Sequence, residues 1–219
     1  MQDANTPSIA QFEIGSAQNL VYLVLDWATR TAAWVDPQQD LTEPLRVLNE
    51  QGFTLTHVLL THNHWDHVAG LAEVVERFPT ISVCVHQKDA SVVHKKIPHH
   101  PMTLVEDSEI IHLGNTPIQI LHTPGHSAGE VCYWIQKNEN SYLLTGDTVF
   151  IRDCGRTDLP TGNAAELFDS LQRIKTLPAH TIICPGHHYR PEYSSTLEIE
   201  MRTSPPFLCK TLDEFEALP

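Results

Sequence analysis

The chain has 219 residues, of which 27 are acidic and 14 are lysine or arginine, so its formal net charge at pH 7 is −13. A negative field of this size disfavours nucleic acid and anionic membrane surfaces as partners. Hydrophobic residues make up 41% and charged residues 19% of the sequence, which is typical of a soluble globular protein with a sizeable core. We therefore predict one domain over residues 1–219.

The sequence also favours a cytoplasmic location. Its five cysteines are widely spaced and form no CxxC pair, which does not suggest a disulfide framework. Residues 1–7 lack the basic and apolar segments of a secretory signal. No uncharged apolar run approaches the roughly 18 residues that a membrane span needs. The sequence carries no signal for an oligomeric state.

The first half of the chain alternates strand-like and helical segments. Strands are predicted over residues 9–14, 19–26, 31–35, 57–60 and 81–85. A helix is predicted over residues 42–51, with Thr42 as its N-cap and Gly52 at its C-terminal end. A second helix is predicted before Pro79, and residues 87–101 are interpreted as a short helix followed by a loop.

The second half supplies another set of strands, predicted over residues 110–113, 118–121, 131–135, 142–144 and 181–184. An amphipathic helix is predicted over residues 164–174. The tail is predicted to be helical around residues 197–201 and interrupted by Pro205-Pro206. Two successive sets of strands with intervening helices indicate a layered α/β arrangement of mixed sheets.

The segment Thr61–His67 directly follows the strand predicted at 57–60. It places three imidazoles and one carboxylate within six consecutive positions: His62, His64, Asp66 and His67. Nitrogen and carboxylate ligands suit zinc, iron or manganese, whereas calcium prefers oxygen alone. A histidine-rich surface loop is the alternative, but a position at the end of a rigid buried strand favours a metal site.

Three later strands also end in short polar motifs. These motifs carry His126, Asp147 and His187, each beside a glycine. Strand-end loops from distant parts of a layered α/β fold can meet at one edge, so we expect these side chains to join those of the Thr61–His67 segment.

The ordered set of motifs resembles the metallo-β-lactamase superfamily over about residues 19–208. The resemblance implies an αββα sandwich, with two mixed β-sheets flanked by helices and a metal site at one edge. Residues 123–129 and 185–189 are similar to short glyoxalase II-like thioester hydrolases. Residues 151–158 are similar both to those proteins and to persulfide dioxygenases, which are iron enzymes of the same fold.

The hydrolase resemblance implies two divalent metal ions, zinc foremost, with iron or manganese as alternatives. His62, His64 and His126 would bind the first ion; Asp66, His67 and His187 the second; and Asp147 would bridge them. A metal-bound bridging hydroxide would attack a thioester carbonyl, as in hydroxyacylglutathione hydrolases. Asp66 and Asp147 are thus the predicted catalytic residues, with Asp66 orienting the hydroxide and accepting its proton.

Two other functions use the same residues. In a persulfide dioxygenase, His62, His126 and Asp147 would hold a single iron and leave positions open for sulfur and oxygen. The remaining residues of the set would then orient that site. A non-catalytic metal-binding protein of the same fold is the third possibility, but a complete ligand set favours an enzyme.

An anionic substrate requires a local basic patch on so acidic a chain. Arg152, Arg156 and Arg190 are its candidates, and the resemblance assigns Arg156 to the glycine carboxylate of glutathione and Tyr189 to the thiol cofactor. The expected partner is therefore a small thiol ester derived from glutathione. The tail from residue 192 carries only Arg202 and Lys210 as basic residues, which weakens the specific assignment of a hydroxyacylglutathione substrate.

Overall fold

The computed structural model describes residues 8–218. The segment 1–7, from which the sequence predicts no secretory signal, lies outside the described residues. The first sheet is formed in spatial order by β1 (Ser8–Ile14), β2 (Asn19–Asp26), β3 (Thr31–Val35), β4 (Thr54–Leu59), β5 (Ser82–His86) and β6 (Met102–Val105). Strands β1 to β3 pair antiparallel and β3 to β6 pair parallel, so the sheet is mixed.

The second sheet comes from the later part of the chain. It contains β7 (Ile110–Leu113), β8 (Thr116–His122), β9 (Val131–Lys137), β10 (Asn140–Gly146), β13 (Ile182–Pro185) and β14 (Ser195–Thr196). Their spatial order is β14-β13-β10-β9-β8-β7, and only β10 and β13 run parallel. A separate two-stranded hairpin joins β11 (Val149–Phe150) to β12 (Asp153–Cys154).

Helices cover the outer faces of both sheets. The helices are α1 (Thr42–Gln51), α2 (Leu71–Arg77), α3 (Ala90–Lys96), α4 (Ala164–Ile174), α5 (Leu197–Thr203), α6 (Pro205–Leu208) and α7 (Leu212–Glu216). None of the helices within residues 8–218 combines the length and the apolar character that a membrane crossing requires.

Strand β2 shows how the sequence specifies the layers. Every residue of β2 is buried. Val21, Leu23 and Leu25 pack with the apolar residues of α1 and α2, whereas the alternate residues Leu20 and Val24 pack against the second sheet. A strand covered on both faces requires a continuous apolar run, which is what this segment has. A third apolar layer, built around Leu167 and Leu171, lies between the second sheet and α4 to α7. The predicted αββα sandwich is confirmed.

Several segments differ from the sequence predictions. Thr42, the predicted N-cap, is instead the first residue of α1; Leu41 occupies the N-cap position, and no side chain caps this helix. Strand β4 begins at Thr54, three residues before the predicted strand, and pairs with β3 through Thr54 and Leu55. Strand β6 was not predicted, because it is a short edge strand with exposed positions and little apolar alternation. By contrast, the predicted interruption of the tail at Pro205-Pro206 is confirmed: α5 ends at Thr203, Ser204 has an extended backbone, and Pro205 then occupies the first turn of a separate helix, α6.

Candidate metal centre

The Thr61–His67 segment follows β4 and is held in place by the buried carboxylate of Asp36. Asp36, which follows β3, accepts hydrogen bonds from the backbone N–H of Thr61 at 2.8 Å and from the Thr61 hydroxyl at 2.6 Å. It also lies 3.0 Å from Nδ1 of His67. Asp36 therefore fixes both ends of the segment. Asp36 was not predicted from the sequence, because it stands neither beside a glycine nor within the histidine-rich run.

The first group of candidate ligands contains His62, His64, His126 and Asp147. Nδ1 of His64 lies 2.9 Å from Nε2 of His62 and 2.9 Å from Nε2 of His126. Nε2 of His126 is 3.4 Å from Oδ2 of Asp147. All four ligand atoms lie within 4.8 Å of one another, which is close enough for one metal ion to contact all of them.

The second group contains Asp66, His67 and His187. The Nε2 atoms of His67 and His187 are 3.1 Å apart, and Oδ2 of Asp66 is 3.4 Å from Nε2 of His187. These three ligand atoms also lie within 4.8 Å of one another. All seven residues predicted to bind metal are thus brought together at the ends of β4, β8, β10 and β13.

Asp147 contacts both groups. Its Oδ1 is 3.3 Å from Nε2 of His67, and its Oδ2 is 3.4 Å from Nε2 of both His126 and His187. Oδ1 is buried and has no hydrogen-bond partner, an arrangement that is costly unless a cation completes it. The convergence of imidazole nitrogens on this carboxylate fits a pair of metal ions with one shared ligand.

Contacts outside the centre orient the imidazole rings. Nδ1 of His126 is 2.8 Å from the carbonyl oxygen of Arg156, and Nδ1 of His187 is 2.8 Å from that of Ala17. A carbonyl oxygen only accepts hydrogen bonds, so in both residues Nδ1 carries the proton and Nε2 is free to bind metal. Such outer contacts are a general feature of metal-bound histidines.

Two further residues support the centre without having been selected from the sequence. Asn19, at the start of β2, donates a hydrogen bond from Nδ2 to Oδ2 of Asp66 at 3.0 Å. Glu130, just before β9, accepts a hydrogen bond from the backbone N–H of Asp147 at 2.9 Å. Neither belongs to a local motif, and their contacts arise only when distant strand ends meet.

Burial determines the protonation of the first group. It lowers the pKa of His62 well below its usual range, lowers that of His126, and lowers that of His64 to about 4. These imidazoles are therefore neutral near pH 7, which is the form that binds metal.

The pKa values of His67, Asp147 and Glu130 depend on neighbouring charges as well as on burial. Burial would lower the pKa of His67, but the carboxylates of Asp147 and Asp36 outweigh it and hold that pKa well above its usual range. Burial would likewise raise the pKa of Asp147, but His67 and the neighbouring imidazoles hold it well below its usual range. Burial and the nearby Asp147 carboxylate raise the pKa of Glu130 well above its usual range.

A cavity of about 730 Å³ lies between the β11–β12 hairpin region and the C-terminal helices. It is lined by Arg152, Arg156 and Arg190, with Phe215 and Leu218 of the C-terminal region on its apolar side. Gly155 lines it as well, and a Cβ added there would meet the His126 ring at 2.8 Å. The three predicted basic residues therefore share one cavity, which approaches the centre through Gly155 and is not lined by any of the seven candidate ligands.

The arginines already have acidic neighbours. Arg156 forms two hydrogen bonds of 2.6 Å to Asp158, Arg152 pairs with Glu192, and Arg190 lies 4.0 Å from Asp153. An anionic ligand in this cavity would therefore compete with these carboxylates for the arginines.

Two aromatic residues border the ligands. Tyr189 stacks on the His187 ring, with centroids 4.9 Å apart and an interplanar angle of 10°. Trp65, within the ligand segment, is 69% exposed. Both present apolar surface next to the centre.

Known proteins are similar to this chain in sequence. The sequence profile of the metallo-beta-lactamase superfamily matches residues 23–187. A hydroxyacylglutathione hydrolase from Rhodospirillum rubrum is 36% identical over 188 residues, which cover 85% of this chain and 69% of that protein.

Solved structures are similar to this chain in fold. The crystal structure of a metallo-beta-lactamase from Staphylococcus aureus superposes with a TM-score of 0.86 at 28% identity, covering 98% of this chain and 68% of the other. That of ETHE1 from Myxococcus xanthus has a TM-score of 0.84 at 31% identity, covering 97% and 92%.

Proposed function

Because the chain belongs to the metallo-beta-lactamase superfamily, we propose that it is a metal-dependent hydrolase that cleaves a thioester of glutathione or a similar thiol. The observation that carries the proposal is the pair of ligand groups joined by Asp147. The similarity to the hydroxyacylglutathione hydrolase of Rhodospirillum rubrum supports the substrate class.

His62, His64 and His126 would hold one metal ion, Asp66, His67 and His187 would hold a second, and Asp147 would be a ligand of both. Zinc is the proposed metal, with iron or manganese as alternatives, because these ligands are all imidazole nitrogens and carboxylate oxygens. When bound, such a pair activates a water molecule near neutral pH and polarises a carbonyl group.

Asp66 is the proposed proton acceptor. Its side chain lies at the edge of the second group, 9% of the residue is exposed, and Oδ2 accepts a hydrogen bond from Asn19. This hydrogen bond orients the carboxylate, so that Oδ1 is available to take a proton from the attacking water and to give it to the thiolate that leaves when the C–S bond breaks.

The arginine-lined cavity is the proposed binding site for the thiol part of the substrate. Arg156 is 63% exposed at its side chain, so a substrate carboxylate can reach the guanidinium and replace Asp158. Tyr189, stacked on His187, would pack against the same part of the substrate.

A persulfide dioxygenase is the second candidate. Its support is that His62, His126 and Asp147 lie in one ligand group, which matches a site of two histidines and one carboxylate for a single iron. In that function the other four residues would orient the site.

The test of the hydrolase is thiol release from S-lactoylglutathione and, for comparison, from acetyl-coenzyme A. The purified protein is assayed as isolated, after chelator treatment, and after addition of zinc, iron or manganese. We expect thiol release to disappear on chelation, to return with metal, and to be faster with the glutathione thioester. Absence of thiol release from both substrates with every metal would contradict the proposal.

A further inference from the structure

Glu130 is a fully buried carboxyl group at the back of the candidate metal centre. Its exposed fraction is 0%. Oε1 accepts the hydrogen bond from the Asp147 N–H at 2.9 Å and lies 3.4 Å from Nδ1 of His62. Within residues 8–218, no lysine or arginine forms an ion pair with it. A buried carboxyl group without a cationic partner is costly, so its contacts with two candidate ligands require an explanation.

We infer that Glu130 is a positioning residue that joins His62 to Asp147 and thereby sets the geometry of the first metal group. The inference rests on the metal centre of the proposed function. Oε1 contacts the Nδ1 side of His62, while Nε2 of that ring faces His64 at 2.9 Å. The Thr61 hydroxyl is the hydrogen-bonded partner of Nδ1 at 3.0 Å, and Oε1 of Glu130 adds a second oxygen on the same side at 3.4 Å. Two oxygens on the Nδ1 side keep the proton there and leave Nε2 for metal.

The backbone at Gly146 packs closely against Oε1 of Glu130. A Cβ added to Gly146 would lie 2.6 Å from Oε1 of Glu130 and 2.5 Å from the Thr61 hydroxyl, and Gly146 has φ +49°. The Glu130 carbonyl accepts from Thr123 N–H at 2.9 Å, and the next residue, Val131, donates to the Thr61 carbonyl at 2.9 Å. Glu130 therefore lies where the segments that carry His62, His126 and Asp147 meet.

Thr61 also contacts His62, and its role differs from that of Glu130. Its hydroxyl lies 3.0 Å from Nδ1 of His62 and donates its own hydrogen to Asp36 at 2.6 Å. It can therefore accept from His62, but it has no contact with the Asp147 backbone in the hydrogen-bond network. Glu130 contacts both ligands through a single oxygen, so its loss should disturb two ligands of the same ion at once.

The test is the affinity of the first zinc ion, measured by titrating metal-free protein against a chromophoric chelator. Glu130→Met removes the acceptor with little change in length, and we expect a loss of about 10- to 100-fold. Glu130→Gln retains an acceptor oxygen, and we expect a loss of less than about tenfold. Wild-type affinity in the methionine variant would overturn the inference. Equal losses in both variants would also overturn it, because retaining the acceptor oxygen would then make no difference.

Glu200 provides a matched control. It is likewise fully buried and accepts a hydrogen bond from the backbone N–H of Arg152 at 2.7 Å, but it is not among the groups of candidate ligands. Glu200→Met should therefore destabilise the fold without changing zinc affinity. If it lowers zinc affinity as much as Glu130→Met does, the effect is a general one of deleting a buried carboxyl group and the inference is wrong.

A second measurement covers the case in which Glu130→Met does not fold. With nitrogen-15-labelled histidine, the Nδ1–H resonance of His62 is recorded in zinc-loaded wild-type protein and in Glu130→Gln. We expect this resonance to shift between the two, and an unchanged resonance would overturn the inference.

Failure of this inference can be distinguished from failure of the proposed function, because zinc affinity is measured without substrate. A protein that binds zinc but releases no thiol contradicts only the proposed hydrolase.

Discussion

His67 and His187 lie 120 positions apart in the chain, and their Nε2 atoms are 3.1 Å apart in the fold. The opposite nitrogen of each ring faces an acceptor, Asp36 for His67 and the Ala17 carbonyl for His187. Two unprotonated Nε2 atoms at this distance repel each other unless a cation lies between them. The carboxylates of Asp147 and Asp36 outweigh burial and hold the pKa of His67 well above its usual range, so this position favours positive charge, and it is where we propose a metal ion.

Asp147→Ala should remove the ligand common to both groups. We expect metal content to fall and the rate of thiol release to drop by more than about 100-fold, since even residues behind a ligand cost 10- to 100-fold. Metal analysis and the thioester assay on the same preparation check this. Asp213→Ala, at an exposed position in the first turn of α7, is the control and should retain both properties. Full metal content and full rate in Asp147→Ala would show that the assigned centre is wrong.

Gly155→Ala should disturb the centre without removing a ligand. The added Cβ would lie 2.0 Å from the Asp147 carbonyl oxygen and 2.8 Å from Nδ1 of His126, so the backbone of one or both ligands must move. We expect at least about a tenfold loss of metal affinity. Gly52→Ala is the control: Gly52 also has a positive φ, but nothing lies within 4 Å of the added atom. It should cost about 1 kcal/mol of unfolding free energy and leave metal affinity unchanged. Wild-type metal affinity in Gly155→Ala would contradict the described packing.

Arg156→Ala should weaken substrate binding without affecting the metal. Because the guanidinium is exposed and already paired with Asp158, we expect KM for S-lactoylglutathione to rise only about three- to tenfold, with kcat little changed. Arg202→Ala removes another exposed arginine that pairs with an acidic neighbour, Glu198, and should leave KM unaltered. An unchanged KM in Arg156→Ala would remove this residue from the substrate site.

Elements of the fold were predicted correctly where neighbouring residues in the sequence carry a periodic apolar pattern. Helix α4 was predicted with its observed bounds, because Leu167, Leu171 and Ile174 repeat at helical spacing. The structure adds that the Asn163 side chain caps its first turn. Strand β6 was missed because an exposed edge strand of four residues lacks a periodic apolar pattern. The same distinction separates the residues of the centre.

Residues of the centre that stand beside a glycine or within the His62–His67 run have a local motif and were predicted as ligands. Asn19, Asp36 and Glu130 have none, since their contacts depend on which strand ends converge. The positions of Arg152 and Arg156 in one cavity were expected, but their pairing with Glu192 and Asp158 requires the folded chain.

His86 should make the free energy of unfolding depend on pH. Burial, aided by the stacked His122 ring 4.1 Å away, lowers the pKa of His86 to about 4. Between pH 6.5 and pH 4 the unfolded chain binds a proton at this position and the folded chain does not, so stability falls as the pH falls through this window. In His86→Phe, the decline should be shallower by up to about 1.4 kcal/mol per pH unit, less the part that solvent screens.

Urea unfolding of both proteins at pH 6.5, 5.5 and 4.5 measures this difference. His99→Phe, which changes an exposed histidine, is the control and should leave the slope as it is in the wild type. If the free energy of unfolding falls with pH equally steeply in His86→Phe and the wild type, the lowered pKa of His86 is contradicted.

The most direct test of the central claim is a count of metal ions per chain in protein purified without added metal, with two assays on the same sample. The account predicts about two ions per chain and release of thiol from S-lactoylglutathione. One iron per chain, with oxygen uptake on glutathione persulfide and no thiol release from S-lactoylglutathione, would contradict it.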